Sequence, residues 1–225
     1  MYFNPFSAWA VVIYIEFEDR NLYIWLNTII LWLKMANETT EILKLLISNK
    51  EEIFSIRKIS KIRKINYKTA YLSLKFLEKE KLVTLKKIGN TFSCTFKDKF
   101  DDLVFKAEYL RREEILKNKN FLVVYNGLKE INKQFILLLF GSQAKGTANK
   151  HSDIDLLLIS NEEVAKIVHT KTRLIPIDFH LTTISYEEFT SMLKSKEFTV
   201  VSQAIKKNII LYGIEDYYRI IENVK

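Results

Sequence analysis

The chain has 225 residues, 48% of them hydrophobic, with five glycines, two prolines and a formal net charge of +8. That is enough for one large or two small domains with a buried core, and it excludes a linker-rich or low-complexity chain. One cysteine, Cys94, and three histidines, His151, His169 and His180, exclude an internal disulfide framework and offer no zinc spacing; metal chemistry would rest on oxygen ligands, and a cytoplasmic location is expected.

The charge is unevenly spread. Residues 1–36 carry two basic and three acidic side chains, residues 37–98 fourteen and seven, residues 99–133 eight and six, and residues 134–225 eleven of each. The excess sits on residues 37–98, which points to an anionic partner for that segment. Upstream, residues 6–15 and 22–33 are strongly apolar. Each is too short to span a bilayer as a helix, so no stable membrane insertion is expected. No basic start or small-residue cleavage site marks a signal peptide. Met35 opens a segment that reads like an ordinary protein start, so residues 1–36 are read as a hydrophobic extension or a gene-start artefact.

Helical spacing follows. Residues 39–49 place Ile42, Leu45 and Leu46 on one side, with Thr39 or Thr40 as cap; residues 54–63 turn Ile56, Ile59 and Ile62 inward. Asn66 caps a third helix over 67–80, with Ala70, Leu74 and Leu77 as its apolar stripe. Residues 82–85 and 91–96 read as strands around a Gly89-Asn90 turn. Three helices and a basic hairpin resemble a winged helix-turn-helix. The resemblance implies that residues 37–98 bind DNA, with the third helix in the major groove. The contacts it implies are Arg63, Lys64, Lys68, Tyr71 and Lys75, with Lys86 and Lys87 on the wing. Winged helices also serve as protein-docking modules. Residues 99–119 read as a connecting helix, and the apolar side marked by Leu103, Leu110, Ile115 and Leu116 is a candidate homodimer contact.

The densest signal comes next. The apolar run 135–140 delivers Gly141-Ser142-Gln143-Ala144-Lys145-Gly146, and Ser152-Asp153-Ile154-Asp155 opens a second apolar run ending at Ile159. Strand side chains repeat every second residue, so Asp153 and Asp155 share a face. Two adjacent carboxylates repel unless a cation lies between them, and Mg²⁺ takes one or two carboxylates plus substrate phosphates. Gly141 permits close backbone approach, and Ser142 offers a hydroxyl and an N–H to phosphate oxygens. Lys145 or Lys150 adds a point charge.

Turn, spacing and acid pair together resemble the active-site motif of the DNA polymerase beta-type nucleotidyltransferase superfamily, in the compact form of its minimal members. The resemblance implies two Mg²⁺ ions held by Asp153 and Asp155, with Asp178 holding one of them and helping to deprotonate the attacking hydroxyl. It implies that Gly141, Ser142, Lys145 and Ser152 bind an NTP, expected to be ATP. Gln143 stands where related enzymes carry a basic residue. His151 and His180 flank the motif and read as structural or surface histidines, and Tyr125 and Tyr212 as packing groups.

The expected fold is α+β: a winged helix-turn-helix followed by a small mixed-sheet nucleotidyltransferase domain over 120–225, with flanking helices. A helix is expected over 121–133, a strand over 174–181 carrying Asp178, helices over 186–195 and 198–207, a strand over 209–212 and a last helix over 215–223. The expected reaction moves NMP from the NTP to a hydroxyl. Small family members include antitoxins that modify a HEPN-type partner protein; others modify antibiotics or RNA ends. The alternative is a transcription regulator whose nucleotidyltransferase fold senses a ligand or dimerises without turnover.

Overall fold

The computed structural model describes residues 20–149, 152–195 and 200–224; residues 1–19 of the N-terminal extension, with Lys150 and His151, lie outside the described residues. The chain divides into two compact units, residues 1–37 and 38–225. Among the described residues no helix is long and apolar enough to cross a membrane.

Helix α1 (Arg20–Ser48) is continuous through the segment expected to begin at Thr39 or Thr40. Neither threonine is a cap. Both are buried, and the Thr39 hydroxyl donates to Ser73 Oγ at 3.0 Å. Cross-helix pairing satisfies the hydroxyl as well as a cap would, and local sequence does not separate the two.

A three-stranded antiparallel sheet of order β1-β3-β2 follows, from β1 (Phe54–Ser55), β2 (Val83–Ile88) and β3 (Thr91–Phe96). Helices α2 (Ile56–Arg63) and α3 (Tyr67–Lys79) pack beside it. Each helix has a side-chain cap: Ser55 accepts from Lys58 N, and Asn66 accepts from Thr69 N at 2.7 Å. Ile56 and Ile59 are buried, but Ile62 is 46% exposed, contrary to the inward reading. At 3.6 residues per turn, Ile62 falls well off the stripe set by Ile56 and Ile59. Cys94 is buried, and burial pushes its thiol up to about 12, so it is no nucleophile.

Two connecting helices, α4 (Asp102–Ile115) and α5 (Lys119–Leu128), lead to the second sheet. Its strands are β4 (Ile136–Phe140), β5 (Asp155–Ile159), β6 (His180–Ile184) and β7 (Ile209–Tyr212), in the order β6-β5-β4-β7. Only the β5–β6 pair is parallel. Between the strands lie α6 (Gly141–Lys145), α7 (Glu162–Thr172), α8 (Tyr186–Lys194) and α9 (Val200–Lys206); α10 (Ile214–Val224) closes the fold. Every residue of β4 is buried. A strand covered on both faces reads as an unbroken apolar run, as Ile-Leu-Leu-Leu-Phe does here.

One face of this sheet (Leu137, Leu139, Leu156, Leu158) packs with Phe121, Val124 and Val168 of α5 and α7. The other (Ile136, Leu138, Leu157, Ile159) joins a core that runs on through Tyr217 and Tyr218 to Leu74 and Ile42. Residues 38–98 and the second sheet therefore share one core.

The strand expected over 174–181 begins only at His180. Leu174 and Ile175 donate backward to Lys171 and Thr172 in turns, Leu174 is 78% exposed, and Pro176 has no N–H for a ladder. The helix expected over 121–133 likewise stops at Leu128.

A buried polar network ties the shared core together. Glu108 is fully buried; it accepts from the Tyr218 hydroxyl at 2.7 Å and from Arg111 at 2.5 Å. Arg111 also donates to the Asn208 carbonyl, and Asn208 donates to the Tyr217 hydroxyl. Beside it, Lys50 pairs with Asp98 at 2.7 Å and lies over the rings of Phe96, Tyr217 and Tyr218. Burial opposes the Lys50 charge, yet Tyr217, Asp98 and Glu108 outweigh it and hold the ammonium above its usual range. Removing one member of such a pair leaves its partner charge buried alone. Glu108→Ala should therefore lower the unfolding free energy by about 3–5 kcal/mol in a urea titration. Glu108→Gln, which keeps an acceptor, should cost clearly less.

Candidate functional site

The site is built where β4 ends and β5 begins. Antiparallel register sets Phe140 opposite Asp155. The chain leaves β4 at Gly141, whose φ of +71° is a left-handed conformation that side chains rarely adopt. It then makes the single turn of α6, closed by Gly146 at φ +70°. A Cβ on Gly141 would stand 2.2 Å from Asp155 Oδ2. The Asp155 carboxylate thus lies directly against the Gly-Ser turn, in space that only glycine leaves free. Asp155 is half-buried and Asp153 exposed.

On the other side of β5, parallel register pairs Asp155 with His180, and the His180 N–H donates to the Ile154 carbonyl at 2.8 Å. Asp178 is exposed and precedes β6 by two residues, as Asp153 precedes β5. The fold thus carries the three acids to one end of two neighbouring strands. It does not close them into a cluster: among the described residues no three His, Cys, Asp or Glu side chains gather tightly enough to hold a metal ion. Asp178 sits on the irregular approach to β6 rather than on a strand, which leaves it outside the ladder that fixes Asp155.

The donor set still suits a hard cation. It is all oxygen, and a half-buried carboxylate without a basic partner among the described residues is costly unless a cation shares the site. Mg²⁺ is commonly held by one or two carboxylates plus substrate phosphates, so a full cluster of three acids is not required for a site of this kind.

The other nucleotide-site candidates divide. Ser142 is half-buried at the start of α6 and Lys145 is exposed at its end. Ser152 has its hydroxyl committed to Asn149, accepting from the backbone N–H at 2.8 Å and donating to Oδ1 at 3.1 Å. Gln143 reaches back to the Ser152 carbonyl at 3.3 Å, bracing the linker between turn and acids. Tyr125 and Tyr212 stack at 4.7 Å between ring centroids, away from the acids.

The residues proposed to face DNA also divide. Lys64, Lys68, Lys86 and Lys87 are exposed. Arg63 is half-buried against Glu38 at 3.3 Å and Glu41 at 3.2 Å. Tyr71 packs on Tyr67 and Phe92, and Lys75 pairs with Glu78 at 2.8 Å while lying over Tyr71 and Phe92. All three thus make contacts within residues 38–98. His180 is the strand partner of Asp155, a pairing that the sequence does not encode because strand register depends on residues distant in the chain.

Residues 124–221 match the family model of the nucleotidyltransferase domain. The match runs from α5 into α10 and contains the second sheet, the Gly-Ser turn and all three acids. It supports assignment of this segment to the nucleotidyltransferase superfamily. No curated protein matches the chain.

Two glycines of nearly equal φ separate backbone cost from carboxylate contact. A Cβ on Gly146 meets nothing within 4 Å. Gly146→Ala should lose only the conformational cost, about 1 kcal/mol. Gly141→Ala must in addition displace Asp155, and in thermal melts should be the more destabilised variant by at least about 1 kcal/mol. Equal losses would mean that the carboxylate does not rest on the turn.

Proposed function

We propose that the protein is a Mg²⁺-dependent nucleotidyltransferase that moves NMP from an NTP, ATP above all, to a hydroxyl acceptor: the acceptor oxygen bonds to the α-phosphorus, and the bond from that phosphorus to the departing pyrophosphate breaks. The observation that carries this reading is the Asp155 carboxylate seated against Gly141, on a segment that matches the nucleotidyltransferase domain. Asp153 and Asp155 would hold the cation, and Asp178 would complete the set. When bound, the metal neutralises the triphosphate and lowers the pKa of the acceptor hydroxyl. The chain's own groups do the rest. Gly141 leaves room for the Asp155 carboxylate beside the turn, Ser142 orients a phosphate by hydrogen bonding, and Lys145 adds positive charge beside it. Asp178, exposed at the strand end, accepts the hydroxyl proton.

Residues 38–98 we read as a winged helix that binds DNA. The support is the helix order α1-α2-α3 leading into the β2–β3 hairpin, the excess of basic residues, and the exposure of Lys64, Lys68, Lys86 and Lys87. The acceptor we favour is a HEPN-type partner protein, as in antitoxins that also repress their own operons. A second reading, a regulator that binds nucleotide without turnover, draws on one observation: the three acids do not converge.

Labelled ATP, Mg²⁺ and candidate acceptors, a HEPN-type protein first, discriminate the two. Transfer should occur, and Asp153→Ala with Asp155→Ala should lower it at least about a hundredfold. Label transfer that is absent, or equal in the variant, would leave the regulator reading. For DNA, affinity for a duplex of the protein's own operator region should fall steeply with salt. Lys86→Ala with Lys87→Ala should reduce the slope of log K against log salt by about 2. Failure to bind at low salt would remove the DNA reading.

A further inference from the structure

Two adjoining hollows open beside α6, at the same end of the sheet as Asp155 but on its β7 flank. One, of ≈ 340 Å³, is lined by Asn49, Gln143 and Gly146 among others; the second, of ≈ 440 Å³, by Glu51, Thr147, Gln203 and Lys206. Lys145 and Lys207 line both. Most other charges in the groove are spoken for: Arg111 by Glu108, and Glu114 by Lys44. Lys145 and Lys207 have no carboxylate within ion-pair distance among the described residues. Lys206 meets Glu51 at 2.9 Å, with both side chains about half exposed or more (48% and 65%). An exposed pair of this kind is worth little and yields readily to a stronger anion.

Among the described residues the groove therefore presents two ammonium groups without a carboxylate partner and a third held weakly, with Gln203 and Thr147 as hydrogen-bonding neighbours. Three lysines and no aromatic wall suit a compact multivalent oxyanion rather than a base or a peptide. Lys145 is one helical turn, about 5 Å, from the Gly141-Ser142 end of α6. A chain of phosphates starting at that turn reaches the groove.

We propose that this groove binds a chain of linked phosphates, and that the bound phosphate takes Lys206 from Glu51. Glu51 belongs to the turn between α1 and β1, so the ligand severs a contact between the basic N-terminal segment and α9. The identity of the anion rests on the nucleotidyl-transfer reading; the site itself rests on the lysines.

Calorimetric titration of the full chain with tripolyphosphate, at low salt and without metal, tests it. Wild type should bind, Lys207→Ala should bind about tenfold more weakly, and Lys207→Arg should retain binding. Glu51→Gln frees Lys206 and should tighten binding by about threefold. Binding that is unchanged in Lys207→Ala, lost equally in Lys207→Arg, or unmoved by Glu51→Gln would overturn the proposal. Its fate is separable from that of the enzyme. Lysine-dependent tripolyphosphate binding without label transfer leaves this site standing and the transferase reading fallen; transfer with lysine-independent binding does the reverse.

Discussion

The antiparallel ladder between β4 and β5 sets Asp155 opposite Phe140, and the left-handed Gly141 lets its carboxylate lie on the turn that follows. This contact is what joins an acidic strand end to a Gly-Ser bend separated from it by a dozen residues of chain. A register slip of one residue would turn Asp155 into the core and Leu156 to the site. The β4–β5 and β5–β6 ladders fix that register, and Leu156, Leu157, Leu158 and Ile159 pack into the cores on both faces of the sheet. Chemistry at the strand end is thus held in place by hydrocarbon several residues away.

The same sheet anchors the rest of the protein. Its second face is covered by α8, α10 and the core of residues 38–98, and the Glu108–Arg111–Tyr218–Asn208 network runs along that seam. Buried and hydrogen-bonded on every side, these groups resist sliding of one layer over another. Residues 38–98 consequently do not hang from a free linker. The basic segment and the segment that matches the nucleotidyltransferase domain thus share one core.

Much of this was legible in the chain. The unbroken run Ile136–Phe140 announced a strand buried on both faces, Asn66 announced the start of α3, and Gly89-Asn90 announced a hairpin. The Gly-Ser turn and the acid pair are legible from their spacing, and the fold sets Asp155 of that pair against the turn. What escaped depends on partners distant in sequence. Thr39 looked like a cap because nothing local reveals Ser73. Residues 174–177 looked like a strand because they are apolar, yet Ile175 is drawn against Gly127 of α5 and Pro176 denies the ladder a donor. Arg63 looked free because Glu38 and Glu41 lie more than twenty residues upstream. Lys207 joins Lys145 only through the return of α9 to β7, which no periodicity encodes.

The arrangement of the acids is best tested by a crystal structure of the full chain with Mg²⁺ and a non-hydrolysable ATP analogue. The metal should lie about 2.1 Å from carboxylate oxygens of both Asp153 and Asp155, with the triphosphate over Gly141 and Ser142. Nucleotide bound elsewhere, or phosphates on that turn with no metal between the two aspartates, would contradict a metal-dependent transferase built on this bend.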